Sequence, residues 1–274
     1  MKKKIFKIIK KSYELRKKII EIVIKNGGHL ATSFSCLDIL VCLYYGNLIK
    51  FKSSKPNWEI RDRLVISKGH AETLIYTILD DLGFFPKSWL AKNYRAGKYL
   101  LGGHIDSKVP GIEFTTGALG HGLSLAAGSA LGLKRKKNNA KVFVLLSDGE
   151  CTEGTTWEAA IFASKHRLNN LIAIIDNNKI SATDFTKNFT DIQNLDKKFK
   201  AFGWNVVQVN GHNHSQLLKI LGQVKNNLKG KPTVIIADTI KGKGLKFIEN
   251  DPTRHAKGLD EKEKIMARDI FEIK

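Results

Sequence analysis

Two sets of residues have types and spacings suited to chemistry. The first is a pair of strand-end signals. Lys141–Leu146 runs into Ser147-Asp148-Gly149-Glu150, and Leu171–Ile175 runs into Asp176-Asn177-Asn178-Lys179-Ile180. One helix separates them, so Asp148 and Asn178 fall on the tips of two strands of one βαβ unit. Neighbouring tips can bring a carboxylate and an amide oxygen to one ion, and Mg²⁺ takes such hard oxygen ligands together with phosphate oxygens. Gly149 would let a diphosphate approach the backbone, and the helix start that follows adds a partial positive charge. Taken singly, Asp-Gly and Asn-Asn after a strand are also ordinary turn dipeptides. The second set is histidine. Of the eight histidines, five stand beside glycine: Gly28-His29, Gly69-His70, Gly103-His104, Gly120-His121-Gly122 and Gly211-His212. Several such loops suggest imidazoles converging on a polar, anionic substrate. A single one is an ordinary turn histidine, and His166 and His214 read as surface residues.

The elements that must position these groups follow from hydrophobic periodicity. Tyr13–Lys25 and Ser35–Tyr45 show apolar residues at helical spacing. Arg63–Ser67 reads as a short strand and Ala71–Leu82 as a helix. Gly120–Leu133 is a small-residue helix suited to close packing. Lys141–Leu146 and Leu171–Ile175 are continuous apolar runs, as in strands buried on both faces. Thr155–His166 reads as a helix, with Thr155 and Glu158 in the pattern of a capping box. Asn205–Val209 and Thr233–Ala237 complete the strands. The recurring strand–helix–strand order predicts an α/β fold, a mostly parallel sheet flanked by helices. Ligands in such sheets bind beyond the carboxyl ends of the strands. With no internal repeat and no long linker, residues 1–274 are expected to form a single domain, with a basic N-terminal helical segment over about 1–12.

Composition narrows the class. Of 274 residues, 42% are hydrophobic and 26% charged, which excludes collagenous, disordered and disulfide-scaffold proteins. No apolar run reaches the ~18–20 residues of a membrane span, and no signal peptide is apparent. Cys36, Cys42 and Cys151 have no paired spacing and are expected as reduced thiols of a cytoplasmic protein. The net charge of +20 is compatible with nucleic acid or with small phosphorylated anions. The lysines are scattered over Lys2–Lys4, Lys134–Lys137, Lys197–Lys200 and Lys225–Lys231, without the interleaved aromatics of a single-strand groove. Nucleic acid is therefore not the expected partner.

The order of these motifs resembles the N-terminal part of transketolase, in particular the N-terminal subunit of split bacterial transketolases. The matching segments are Gly28-His29, Ser35–Tyr45, Ser67-Lys68-Gly69-His70, Gly102-Gly103-His104, Thr116–Ser124, Ser147–Gly154 with Trp157-Glu158-Ala159-Ala160, Leu171–Ile180, and Lys241-Gly242-Lys243-Gly244 through Arg254-His255. The resemblance implies the thiamine diphosphate-binding fold, with thiamine diphosphate and Mg²⁺ or Ca²⁺ as cofactors. It implies Asp148, Asn178 and the Ile180 carbonyl as metal ligands. It places His70, Gly117, Ala118, Leu119, Gly149, Asn178 and Ile180 against the cofactor. His29, His104 and His255 fall where the family contacts the sugar donor and assists proton transfer, and Glu153 matches an acidic residue near the partner's active site. The cofactor carries the carbanion chemistry and the protein supplies position and electrostatics.

The chain departs from the family pattern at Ser147, where glycine is usual, at Leu30 after His29, and at Ala118 and His121. None of these removes an expected ligand. The expected activity is transfer of a two-carbon ketol unit from a ketose phosphate to an aldose phosphate. The family's activating glutamate lies on a pyrimidine-binding domain, for which the chain has no room. A separate C-terminal subunit is therefore expected, in an α2β2 assembly. Two alternatives stay open. One is another thiamine diphosphate enzyme component, of deoxyxylulose-phosphate-synthase or 2-oxoacid-dehydrogenase type. The other is a non-catalytic binding subunit.

Overall fold

A computed structural model describes residues 2–95, 101–190, 192, 194–226 and 230–273. The lysine run Lys225–Lys231 lies partly outside them. The strands are β1 (Arg63–Ile66), β2 (Val142–Ser147), β3 (Leu171–Asn177), β4 (Asn205–Asn210) and β5 (Thr233–Asp238). They form one sheet in the order β1-β2-β3-β5-β4, and every pairing is parallel. β2 and β3 are buried along their whole length, as their unbroken apolar sequences require.

Alternate residues of each strand feed two cores. Phe143, Leu145, Ile172, Ile174 and Ile235 face one layer, and Val144, Leu146, Ala173, Ile175 and Ile236 face the other. The first layer contains α1 (Lys2–Asn26), α2 (Leu30–Tyr45), α3 (Glu72–Asp81), α9 (His214–Asn226) and α10 (Glu261–Ile270). α2 is apolar on nearly every side because other helices and the sheet enclose it. The second layer contains α5 (His121–Arg135), α6 (Gly154–Lys165) and α8 (Leu195–Ala201), packed through Ala126, Ala127, Ala130, Ala159, Ala160 and Ala163. The short helices α4 (Ser88–Asn93) and α7 (Thr186–Phe189) lie in connections.

Several local expectations change. The basic segment at 1–12 and the helix at 13–25 are one continuous helix, α1. It buries Ile8, Ser12, Leu15, Arg16, Ile19, Ile20 and Val23 on one stripe. The expected capping box on α6 is absent: Glu153 is the cap residue, and the Thr155 hydroxyl instead donates to Gly120 O at 3.0 Å. A complete capping box occurs at α10, between Asp260 and Glu263. All three cysteines are buried free thiols, and burial pushes Cys36 up to about 12. Among the described residues no helix is long and apolar enough to cross a membrane.

Candidate active site

The register levels the strand ends. Ser147 stands opposite Asp176, and Asn177 opposite Asp238. The segments that leave β1, β2, β3 and β5 therefore emerge side by side, carrying Lys68-Gly69-His70, Asp148-Gly149, Asn178–Ile180 and Thr239–Lys241. A cavity of 160 Å³ opens among them. Its lining includes Lys68, His70, Gly149, Asn178, Ile180 and Lys241, with His104, Gly117, Leu119 and His255 closing the far side. A larger crevice of 670 Å³ contains Asp148 and is lined mainly by the β3 and β5 ends with Phe185, Lys187, Ile192 and Leu195. The imidazoles of His70, His104 and His255 converge on the smaller cavity, which makes it the candidate site.

Asp176 anchors the floor. Fully buried, it accepts hydrogen bonds from Lys68 Nζ, from Ser35 Oγ at 2.8 Å and from Thr239 Oγ1. Burial alone would lower the Lys68 ammonium, but the charge and hydrogen bond of Asp176, together with the charges of Cys36 and Asp148, outweigh it and hold Lys68 above its ordinary value. Asp148 has no such cation of its own. Its Oδ1 accepts from Gly149 N at 2.9 Å and its Oδ2 from Lys179 N at 2.7 Å. Burial and then the Asp176 charge push its carboxyl up to about 6. Asn178 turns its Oδ1 to Ile180 N at 3.0 Å and donates from Nδ2 to Ser35 Oγ at 3.0 Å.

The opposite rim is cationic. Lys241 is buried and donates to Ser181 O at 3.0 Å. Burial and then the Lys68 charge bring it down to about 8. Two lysines thus face a cavity in which only Lys68 has a carboxylate partner. A buried carboxylate without a cation of its own and a buried ammonium without an anion, at the carboxyl ends of strands in one sheet, suit a metal–diphosphate pair.

Four histidines form the wall. His29, at the start of α2, lies with its ring centre 6.0 Å from His70, 6.0 Å from His104 and 5.6 Å from His255, and His70 lies 4.8 Å from His255. Glycine makes the approach possible. A Cβ on Gly69 would stand 2.6 Å from Thr116 O, and one on Gly117 3.1 Å from His104 Cδ2. Burial, then the Lys68 charge, holds His70 well below its ordinary value. Burial, then the Lys241 charge, lowers His255 to about 4. Both rings are neutral at pH 7, and a neutral imidazole offers one donor and one acceptor.

Not every expected residue joins the wall. Ala118 is exposed beside the lining residues Gly117 and Leu119. Glu153 is exposed and packs against Gly120, outside the imidazole cluster. His121 is exposed at the start of α5. His212 lies elsewhere, paired with Asp38 at 2.8 Å. His214 belongs to that same cluster, bonded to Ser12 Oγ at 2.8 Å, and is not a surface residue. His166 is half-buried and packs on Phe162. The residue-by-residue reading of the chemistry passed over Lys68, Lys241 and Asp176. Each lies inside a quoted motif, but only folding shows which charge each one faces.

These features define a class: a parallel α/β protein with a polar crevice at its strand tips and a wall of imidazoles. Residues 12–274 match the family model described as transketolase, thiamine diphosphate binding domain. The chain belongs to this family and is a transketolase-type N-terminal subunit. It is 39% identical over 250 residues to one subunit of an apulose-4-phosphate transketolase from Actinobacillus succinogenes, covering 90% of each chain. It is 39% identical over 249 residues to one subunit of a 6-deoxy-6-sulfo-D-fructose transketolase from a Clostridium species, again covering 90% of each. The crystal structure of transketolase from Campylobacter jejuni superposes with a TM-score of 0.89 at 33% identity. That match covers 97% of this chain and 43% of that one.

Proposed function

We propose that this chain is the cofactor-binding subunit of a split transketolase that moves a two-carbon ketol unit from a ketose phosphate to an aldose phosphate. The observation that carries the reading is the convergence of Gly149, Asn178 and Ile180, at the strand tips beside Asp148, with His70, His104 and His255 on one crevice, His29 being packed against all three rings. Thiamine diphosphate, when bound, supplies the carbanion chemistry. Asp148, Asn178 and the Ile180 carbonyl would hold Mg²⁺ or Ca²⁺. His70, Gly117, Ala118, Leu119 and Gly149 would line the cofactor, and Lys68 and Lys241 would balance diphosphate charge. His29, His104 and His255 would take and return hydroxyl protons of the sugar, work to which imidazoles are suited. Glu153, on the exposed side, would face the partner.

The reading includes a single domain in the cytoplasm and a separate subunit carrying the pyrimidine-binding domain, assembled as α2β2. The chain spans 43% of the Campylobacter jejuni transketolase, and the relatives it matches over 90% of their length are named as transketolase subunits, which supports a partner subunit. The test is ketol transfer from xylulose 5-phosphate with thiamine diphosphate and Mg²⁺, using the chain alone and then with the pyrimidine-domain protein encoded beside it. Apulose 4-phosphate and 6-deoxy-6-sulfo-D-fructose, named in its relatives, belong in the donor panel. Activity in the mixture alone supports the reading. A cofactor-bound complex inert towards every ketose would replace it with another thiamine diphosphate reaction. Asp148→Ala is expected to abolish metal-dependent cofactor binding, and unchanged affinity would remove Asp148 from the metal site.

A further inference from the structure

His29 does not stand alone. Its Nδ1 lies 2.9 Å from Glu72 Oε1 and 3.0 Å from Oε2. Glu72 opens α3, two residues beyond His70, and is fully buried. Such a carboxylate is costly unless it is well hydrogen-bonded. Its other contacts are hydroxyls: Tyr94 OH donates to Oε1 at 2.9 Å, and Thr73 Oγ1 lies 3.3 Å away. Thr73 and Tyr94 are themselves bonded at 2.7 Å. Among the described residues no lysine or arginine pairs with it. The chain before His29 is moulded to this pair of hydroxyls. Gly28 has φ +139°, and a Cβ there would lie 2.8 Å from both Thr73 Oγ1 and Tyr94 OH.

A group that collects hydroxyl donors behaves as an acceptor, so the ring nitrogen beside it carries the hydrogen. The choice of tautomer follows, because the partner of one ring nitrogen decides the state of the other. Nε2, on the ring edge away from Glu72, has no protein partner among the described residues, while the ring itself lies against His70, His104 and His255. We propose that Glu72 is a positioning residue for His29: its carboxylate, steadied by Tyr94, fixes the Nδ1–H tautomer and orients the ring so that Nε2 meets the sugar as a proton acceptor. This rests on the donor-contact role given to His29 above, and it assigns that ring the work of a base.

The inference differs from a purely structural ion pair. A buried pair that serves stability alone would affect folding without regard to the His29 tautomer. The first test therefore needs neither partner nor sugar. The ring ¹⁵N shifts of His29 are measured at pH 8 in the full chain. The expected result is a pyrrole-like Nδ1 and a pyridine-like Nε2. Glu72→Met, which removes the acceptor at similar length, should release the ring into a mixture of tautomers. Glu72→Gln, which keeps an acceptor oxygen, should preserve the wild-type pattern. An Nε2–H tautomer or a doubly protonated ring in the wild-type chain overturns the proposal, whatever the variants do.

The second test uses the active complex. Glu72→Met should lower kcat by about 10- to 100-fold, with the cofactor Kd changed by less than about twofold. The same substitution in a His29→Ala background should cost almost nothing further, because the two side chains act as one unit. Equal losses in both backgrounds would show that Glu72 does not work through His29. A wild-type complex that binds cofactor but transfers no ketol would refute the functional reading and leave the tautomer result standing.

Discussion

The molecule contains two histidine clusters that sequence alone makes look alike. In the first, His212 and His214 surround Asp38 between α1, α2 and the start of α9. Arg16 grips both oxygens of Asp38 at 3.0 and 2.9 Å, and His212 uses its second nitrogen to accept Ile240 N–H at 2.8 Å. Burial would raise the Asp38 carboxyl, but Arg16 and the two histidine hydrogen bonds outweigh it and hold the group well below the usual carboxylate range. This cluster is closed, since a cation, an anion and their hydrogen bonds satisfy one another. In the second, at the strand tips, like meets like. Lys68 and Lys241 face the same cavity, Asp148 stands near Asp176, and His70 and His255 are forced neutral. The difference teaches how to tell a structural polar cluster from a working one. The structural cluster balances its own charge, and the working one leaves an imbalance that a ligand can complete.

The sharpest way to break this contrast is Asp38→Ala. It strands the buried Arg16 and should cost about 3–5 kcal/mol of stability. Thermal unfolding reads this directly, and an unchanged midpoint would show that the first cluster is not structural. His29→Ala is the counterpart. It should lower ketol transfer by about 100-fold while leaving the unfolding midpoint and cofactor affinity nearly unchanged. A fall in stability as large as that of Asp38→Ala would merge the two clusters into one class.

The electrostatic imbalance predicts a pH signature with two opposite signs. Lys241 titrates near 8 in the folded chain against 10.5 ordinarily. Pyrophosphate affinity should be full below pH 8 and fall above it by up to about tenfold per unit, as the ammonium is lost. For stability the sign reverses. A lowered lysine pKa opposes folding below pH 8, and that penalty is relieved between about 8 and 10.5. Calorimetric titration and denaturant midpoints across this range test both arms, and Lys241→Met should flatten both. The smallest effect is a coupling. Pyrophosphate offsets the Lys241 charge that helps to hold His255 near 4, so its binding should move the His255 titration upward by about one unit. His212, in the closed cluster, should not respond. An NMR titration of the ring signals separates the two.

Much of this architecture is legible in the linear chain. Lys141–Leu146 and Leu171–Ile175 are apolar enough to require burial on both faces, and the helices between strands dictate parallel crossovers. Asp148 and Asn178 follow as strand-tip residues. The capping boxes show a limit of such reading: the Thr155 and Glu158 pattern does not close, whereas Asp260 and Glu263 do. A motif specifies which hydrogen bonds a turn can make, and Thr155 finds a better acceptor in Gly120 O.

Which glycine–histidine loops meet was beyond that reading. Gly211-His212 and Gly103-His104 have the same local chemistry, yet one ring goes to Asp38 and the other to the cavity wall. The glutamate two places after His70 carries no local sign that it holds His29. Local periodicity and turn chemistry depend on neighbours along the chain, so the amino-acid order alone sets the elements, their sequence and the polar residues at their ends. Charge balance, tautomers and shifted proton affinities depend on neighbours in space. They arise only when the sheet order β1-β2-β3-β5-β4 brings four strand ends together in a buried site where each unpaired charge is costly.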